Sequence, residues 1–183
     1  MPVFDATTLL YFLEKDAKPP LDPATGTVVT DPKARIDFLI SNLESRRETI
    51  VIPTPALSEV LVHAGKAGPE YLKILSSTRC FRVEAFDQRA AVELATMTYD
   101  AISVGDLRAG TNATRAKLKF DRQIIAIARI QGQTAIYSDD GDVAKLAKPL
   151  DIKVIPVHDL PLPPTDPQAE FAFPPNGAYQ RSE

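Results

Sequence analysis

With 183 residues, 44% of them hydrophobic and 25% charged, the chain can bury one proper core, and its length suits a single domain with extensions rather than two. Its 21 Lys and Arg stand against 24 Asp and Glu, a formal charge of −3, which excludes a broad basic surface that would hold nucleic acid unaided. The one cysteine, Cys80, excludes an internal disulfide and points to a reducing, cytoplasmic setting. The opening Met1-Pro2-Val3-Phe4-Asp5 lacks a basic leader, and no run approaches the roughly 18 apolar residues of a membrane span, so neither secretion nor membrane insertion is expected.

In chain order, Val3-Phe4 predicts a short buried strand that ends on Asp5, and Thr7 to Leu13 a helix with Leu9, Leu10 and Leu13 on one face. Residues 17 to 31 hold Pro19, Pro20, Pro23 and Gly26 and form a loop. Asp31-Pro32 then opens a helix, with Asp as cap and Pro in the first position, along which Ile36, Leu39, Ile40 and Leu43 make the apolar stripe. Thr49-Ile50-Val51-Ile52 is β-branched throughout and stops at Pro53, as expected of a strand buried on both faces of a parallel sheet.

A second Pro-initiated helix is predicted from Pro55 to about Lys66, another from Pro69 to Ser77, and a third strand over Cys80 to Val83. Cys80 reads there as a residue at a buried strand edge rather than an activated thiol. Asp87 to Asp100 predicts a helix with Ala91, Leu94, Ala95 and Thr98 on one side, whereas Gly105 to Lys119 resists a single assignment. Asp121 to Gln131 is strongly helical and ends at Gly132; Thr134 to Tyr137 is the fourth strand, Asp140 to Lys148 a helix and Lys153 to Ile155 the fifth strand. Five strands alternating with helices predict an α/β fold whose parallel sheet is covered on both faces.

Residues 1 to 156 therefore make the domain. From Pro156 onward, seven of the 16 prolines crowd into the final 28 residues, so 157 to 183 is expected to be an extended tail, able to strap across a surface through Phe171, Phe173 and Tyr179.

Ligands of open parallel sheets sit beyond the carboxyl ends of the strands, where strand order reverses. Carboxylates fall at such ends here: Asp5 after the first strand, and Ser138-Asp139-Asp140 after the fourth. Asp121 is expected at or near a helix start, where the helix dipole supports a carboxylate. Glu59 lies early in the helix after the second strand, sharing a side with Ala56, Val60 and His63, and a carboxylate on such a face is costly unless paired or bound to a cation. Convergent carboxylates suit Mg²⁺ or Mn²⁺, hard cations that can activate a water and stabilise the leaving oxygen of a phosphodiester.

Each residue also has a plainer reading. Asp5 and Asp121 could be helix caps, and Asp139 to Asp142 a turn rich in Asp and Gly. Glu59 and His63 at four-residue spacing hint at zinc, but no second His lies nearby, so His63 reads as structural. Arg115, Lys117 and Lys119 could guide RNA phosphates toward the site, or simply line a solvated helix face.

Four segments together resemble the PIN-domain nucleases, and within them the VapC-like toxins of toxin-antitoxin pairs. They are Val3-Phe4-Asp5-Ala6-Thr7-Thr8-Leu9-Leu10, Ser58-Glu59, Phe120-Asp121-Arg122-Gln123-Ile124-Ile125-Ala126-Ile127-Ala128, and Tyr137-Ser138-Asp139-Asp140-Gly141-Asp142. The resemblance covers about residues 2 to 156. It implies a three-layer α/β/α sandwich around a five-stranded, mainly parallel sheet, and an Mg²⁺- or Mn²⁺-dependent endoribonuclease. Its implied metal ligands are Asp5, Glu59, Asp121 and Asp140, with Asp142 the next choice in the last cluster. Ser138 and Thr7, or Thr8 beside it, would orient carboxylates or water. The partners it implies are an RNA substrate, a cognate antitoxin protein and a second copy of the chain in a homodimer. The chain departs from the family's usual Ser or Thr then Asn after the first Asp, carrying Ala6 and Thr7 instead.

Two other classes compete. A noncatalytic scaffold of the same fold would bind a partner protein through its helices and tail. A phosphoacceptor receiver domain would need a central Asp after the third strand, where this chain has Glu84 and then Asp87 at a helix start.

Overall fold

The computed structural model describes residues 1–164. Five strands, β1 (Val3–Phe4), β2 (Ile50–Pro53), β3 (Phe81–Glu84), β4 (Ala135–Tyr137) and β5 (Lys153–Ile155), pair in the order β3-β2-β1-β4-β5, and all four pairings are parallel. Seven helices connect them: α1 (Ala6–Leu13), α2 (Pro32–Ser45), α3 (Thr54–Ala64), α4 (Gly68–Ser77), α5 (Gln88–Ser103), α6 (Arg115–Ile130) and α7 (Gly141–Ala147). The chain winds outward from β1 through β2 to β3, then crosses back to β4 on the other side of β1. Right-handed crossovers therefore place the helices of the two halves on opposite faces of the sheet. This is the expected α/β/α sandwich, and among the described residues its sheet is wholly parallel.

The central strands carry the core. Every residue of β2 is buried, as its β-branched run predicts, and Val3, Phe4 and Ile136 are fully buried beside it. Val3 stands opposite both Val51 and Ile136, so β1 is enclosed by apolar neighbours on either side. The edge strand β3 is half exposed, and Cys80 just before it is buried, which pushes its thiol pKa up and disfavours the thiolate.

Several local expectations are corrected. Asp31 does precede α2, but its backbone is left-handed (φ 49°) and its side chain makes no capping bond, so Pro32 alone sets the start. On α5 the buried line is Ala90 and Met97 with Leu94 between them, and Ala91 and Ala95 face solvent; the helix is capped by Asp87 through Ala90 N–H at 2.9 Å. The largest correction concerns α6. It begins six residues before Asp121, with Thr114 as cap accepting from Lys117 N–H at 3.2 Å. Asp121 is therefore neither a cap nor near the positive end of the helix dipole.

Packing also continues past residue 156. Val157 and Leu160 are buried, and the Arg35 guanidinium donates to the Leu160 carbonyl. The expectation that Phe171, Phe173 and Tyr179 act as anchors lies outside the described residues.

Candidate active site

The reversal of strand order falls between β1 and β4, and the carboxyl ends of these two strands deliver Asp5 and Ser138 side by side. Asp5 caps α1, accepting from Thr8 N–H at 2.9 Å. The Thr7 hydroxyl reaches both carboxylate oxygens, at 2.8 and 2.9 Å, and the Ser138 hydroxyl donates to Oδ2. The Thr8 hydroxyl ties the same junction to the Tyr137 carbonyl at 2.7 Å. Asp5 is 4% exposed, and burial lifts its carboxyl to about 6 against the opposing bonds from Ser138, Thr8 and Thr7. The capping and the site readings of Asp5 are thus compatible, because the same carboxylate caps α1 and faces the cleft.

Asp121 comes from the second turn of α6, on the buried side that Leu118, Ile125 and Ala128 also occupy. It is 7% exposed, and its Oδ2 has no hydrogen-bond partner among the described residues. Burial raises its carboxyl to about 6; Lys117 pulls the value down, and the charges of Asp140 and Asp142 push it up again.

The last acidic cluster divides. Asp139 turns away from the cleft, accepting from Val157 N–H at 2.8 Å, and burial raises its carboxyl against that bond and the influence of Tyr11. Asp140 caps α7 through Asp142 N–H at 2.8 Å, and its own N–H donates to Ser138 Oγ at 3.0 Å. Asp140 faces the cleft and Asp142 sits beside it, joined through Lys117.

Asp5, Glu59, Asp121 and Asp140 line one cleft of about 410 Å³ between α3 and α6. Glu59 is exposed at its rim, whereas Ala56 and Val60 are buried, so the expectation of a carboxylate forced onto a buried face is corrected: its side chain lies on the solvent side of α3. His63 is also exposed and pairs with Glu14 at 3.1 Å, a surface role that needs no metal. Val62 and Phe120, both exposed, add an apolar margin to the cleft that the sequence did not single out.

Of the three basic residues expected to guide RNA, Arg115 and Lys119 are exposed on α6 and do not line the cleft. Lys117 sits inside it. Its Nζ lies 2.7 Å from Asp140 Oδ2, 2.7 Å from Asp142 Oδ2 and 3.6 Å from Asp121 Oδ2. Partial burial works to lower its pKa, but the bonds to Asp140 and Asp142 and the charge of Asp121 outweigh that and raise it. The four-residue spacing from Lys117 to Asp121 was the available signal, usable only with the helix extended back to Thr114.

The donors facing the cleft are carboxylate and hydroxyl oxygens, the set that Mg²⁺ and Mn²⁺ prefer. The Asp121 oxygen without a hydrogen-bond partner and the buried Asp5 beside it, each lifted to about 6 chiefly by burial, are oxygen donors of the kind a divalent cation takes. Among the described residues, no three His, Cys, Asp or Glu side chains are gathered tightly enough to hold an ion as they stand, and Lys117 lies among the carboxylates instead.

No family model and no curated protein matches this sequence. Solved structures do. The chain is similar to DNA-bound VapBC from Salmonella typhimurium (TM-score 0.55, 14% identity, 85% of this chain and 97% of that one). It is similar to FitAB bound to an IR36 DNA fragment (0.57, 14%, 88% and 98%). A third is VapBC2 from Rickettsia felis bound to a DNA fragment from its promoter (0.54, 12%, 85% and 97%). At these identities the likeness is one of fold, and it is the VapC-like PIN-domain fold that the four sequence segments imply.

Proposed function

We propose that this chain, built on the VapC-like PIN-domain fold, is a metal-dependent endoribonuclease that hydrolyses RNA phosphodiester bonds as the toxin of a type II toxin-antitoxin pair. The observation that carries the reading is Asp121: a nearly buried carboxylate, one oxygen unpartnered, aimed into a cleft shared with Asp5, Glu59 and Asp140. A scaffold has no use for such an arrangement, because an unsatisfied buried carboxylate costs stability.

Asp5, Glu59, Asp121 and Asp140 would hold Mg²⁺ or Mn²⁺, with Asp142 at the margin. A bound divalent ion supplies Lewis-acid activation of water and neutralises charge on the phosphodiester. The chain's own groups prepare that chemistry. Thr7, Thr8 N–H and Ser138 fix both oxygens of Asp5, so its carboxylate needs no reorganisation when a ligand arrives. Asp140 is held by its capping bond and by Ser138 Oγ, which links it rigidly to Asp5. Asp121 Oδ2 accepts no hydrogen bond and meets only the Lys117 ammonium at 3.6 Å, so it can take a cation or a proton, and a carboxyl near 6 is ionised at neutral pH yet close enough to share a proton with water. Val62 and Phe120 offer apolar surface beside the carboxylates against which an unstacked base can lie.

The structural neighbours are VapBC and FitAB complexes bound to DNA, and this supports an antitoxin protein as a partner for this chain. No described helix is long and apolar enough to cross a membrane.

The deciding assay is cleavage of RNA by the purified chain with millimolar Mg²⁺ or Mn²⁺, with chelator, and with Asp121→Asn. Because Asp121 is not a cap, Asn there keeps the shape and removes the charge. Cleavage lost on chelation and lost in the variant, with its fold intact, is expected; full activity of Asp121→Asn would remove this residue from the site.

A further inference from the structure

Lys117 has no part in the chemistry above, and its position is unusual for a residue that only guides substrate. One carboxylate oxygen from each of Asp121, Asp140 and Asp142 faces a single ammonium, at 3.6, 2.7 and 2.7 Å. The other oxygen of Asp140 already accepts the Asp142 N–H, so Lys117 takes the one that remains for the cleft. Lys145 is the other described cation at this cluster, and at 3.9 Å from Asp142 Oδ1, on the opposite oxygen, it does not replace Lys117.

We propose that Lys117 is the chain's own counter-ion for this cluster, occupying Asp140 Oδ2 and facing Asp121 Oδ2, two of the oxygens that would hold a divalent cation, and so setting how tightly the site loads metal. The inference rests on the reading of the cleft as a metal site. An ammonium and a divalent ion cannot both use the Asp121 and Asp140 oxygens, since their like charges repel and each needs the same lone pairs. Metal uptake therefore has to break the ion pairs of Lys117 and move its side chain aside. That movement is open to it: the side chain is 40% exposed, sits on the first turns of α6 and carries a flexible four-carbon stem. In the metal-free protein the same ion pairs relieve repulsion among the three carboxylates, so the residue holds the empty site together and yields it when metal is abundant.

Calorimetric titration of the full chain with MnCl₂ and MgCl₂, with no RNA present, tests this directly, using wild type and Lys117→Met, which keeps the stem and removes the charge. The variant is expected to bind metal about tenfold more tightly or better, and to melt at a lower temperature than wild type in chelator. A purely structural lysine would lower the melting temperature without tightening metal binding. Where Lys117→Met cannot be kept folded without metal, Lys117→Gln, which retains a hydrogen-bond donor for the carboxylates, carries the same comparison. Equal or weaker metal binding by a folded variant, beside a wild type that binds, overturns the role of Lys117 and leaves the metal site standing. No binding by any of the chains overturns the metal site and the role of Lys117 with it.

Discussion

Asp5 and Asp121 reach the same cleft with carboxyls lifted by burial to about the same level, yet their surroundings differ in kind. Asp5 is met by neutral donors: two hydroxyls and a backbone N–H fix it, and its charge is spread over dipoles that never leave. Asp121 is met by a charge at a distance, with one oxygen unsatisfied and a lysine 3.6 Å away that is bound more closely to two other carboxylates. One half of the site is preorganised by the fold. The other is held by ions and changes with whichever cation is present, because hydrogen bonds to fixed dipoles survive the exchange of a counter-ion and Coulomb pairs do not.

The broadest way to expose both halves together is pH. A carboxyl raised from 3.8 to about 6 in the fold stabilises the folded state fully below about 4 and loses that contribution as pH rises through 6. Over the full window the effect is up to about 3 kcal/mol for each group. The metal-free protein should therefore melt several degrees higher near pH 5 than near pH 7.5, as far as these two groups govern it. Saturating Mg²⁺ should flatten or reverse the trend by favouring the ionised forms. A metal-free melting temperature that falls steadily from pH 7.5 to 5 would count against both assignments.

Substitution separates the halves. Asp5→Ala removes the α1 cap and leaves the Ser138 and Thr7 hydroxyls without their acceptor, at a cost of about 2 kcal/mol. Asp121→Ala removes no hydrogen bond at Oδ2, and although it gives up the 3.6 Å ion pair with Lys117 it also removes a buried carboxylate whose desolvation outweighs that pair, so the metal-free protein should be as stable as wild type or more so. Chemical denaturation in chelator measures both, and equal destabilisation by the two variants would erase the contrast.

Ser138→Ala gives the smallest effect, about 1 kcal/mol, by withdrawing one donor from Asp5. Because that bond lowers the Asp5 value, the carboxyl should titrate above its present position near 6, while Asp121 stays where it is. Carboxyl NMR titrations of the two residues read this, and a parallel shift of both would mean that they respond as one unit.

Much of this was legible in the amino-acid sequence, because the deciding forces act over a few residues. The β-branched Ile50-Val51-Ile52 run, the prolines that open helices and Asp5 directly after Val3-Phe4 place strands and the first carboxylate by local preference and period alone. The alternation of strands and helices gave the parallel sheet for the same reason. Other features depended on what the elements meet in space. The start of α6 was obscured by Gly110 and Asn112 upstream and the absence of apolar periodicity before Leu118, and placing it at Thr114 turned Asp121 from a cap into a buried mid-helix carboxylate. Which face of α5 is buried was settled by its packing on α6, since small alanines on both sides give no hydrophobic contrast. The sequence could not choose among Asp139, Asp140 and Asp142, because a turn can aim successive side chains in any direction; the backbone N–H of Val157, far along the chain, draws Asp139 away and leaves Asp140 on the cleft. The position of Lys117 among three carboxylates is likewise tertiary, since α6 and the start of α7 meet only when the sheet has brought β4 beside β1.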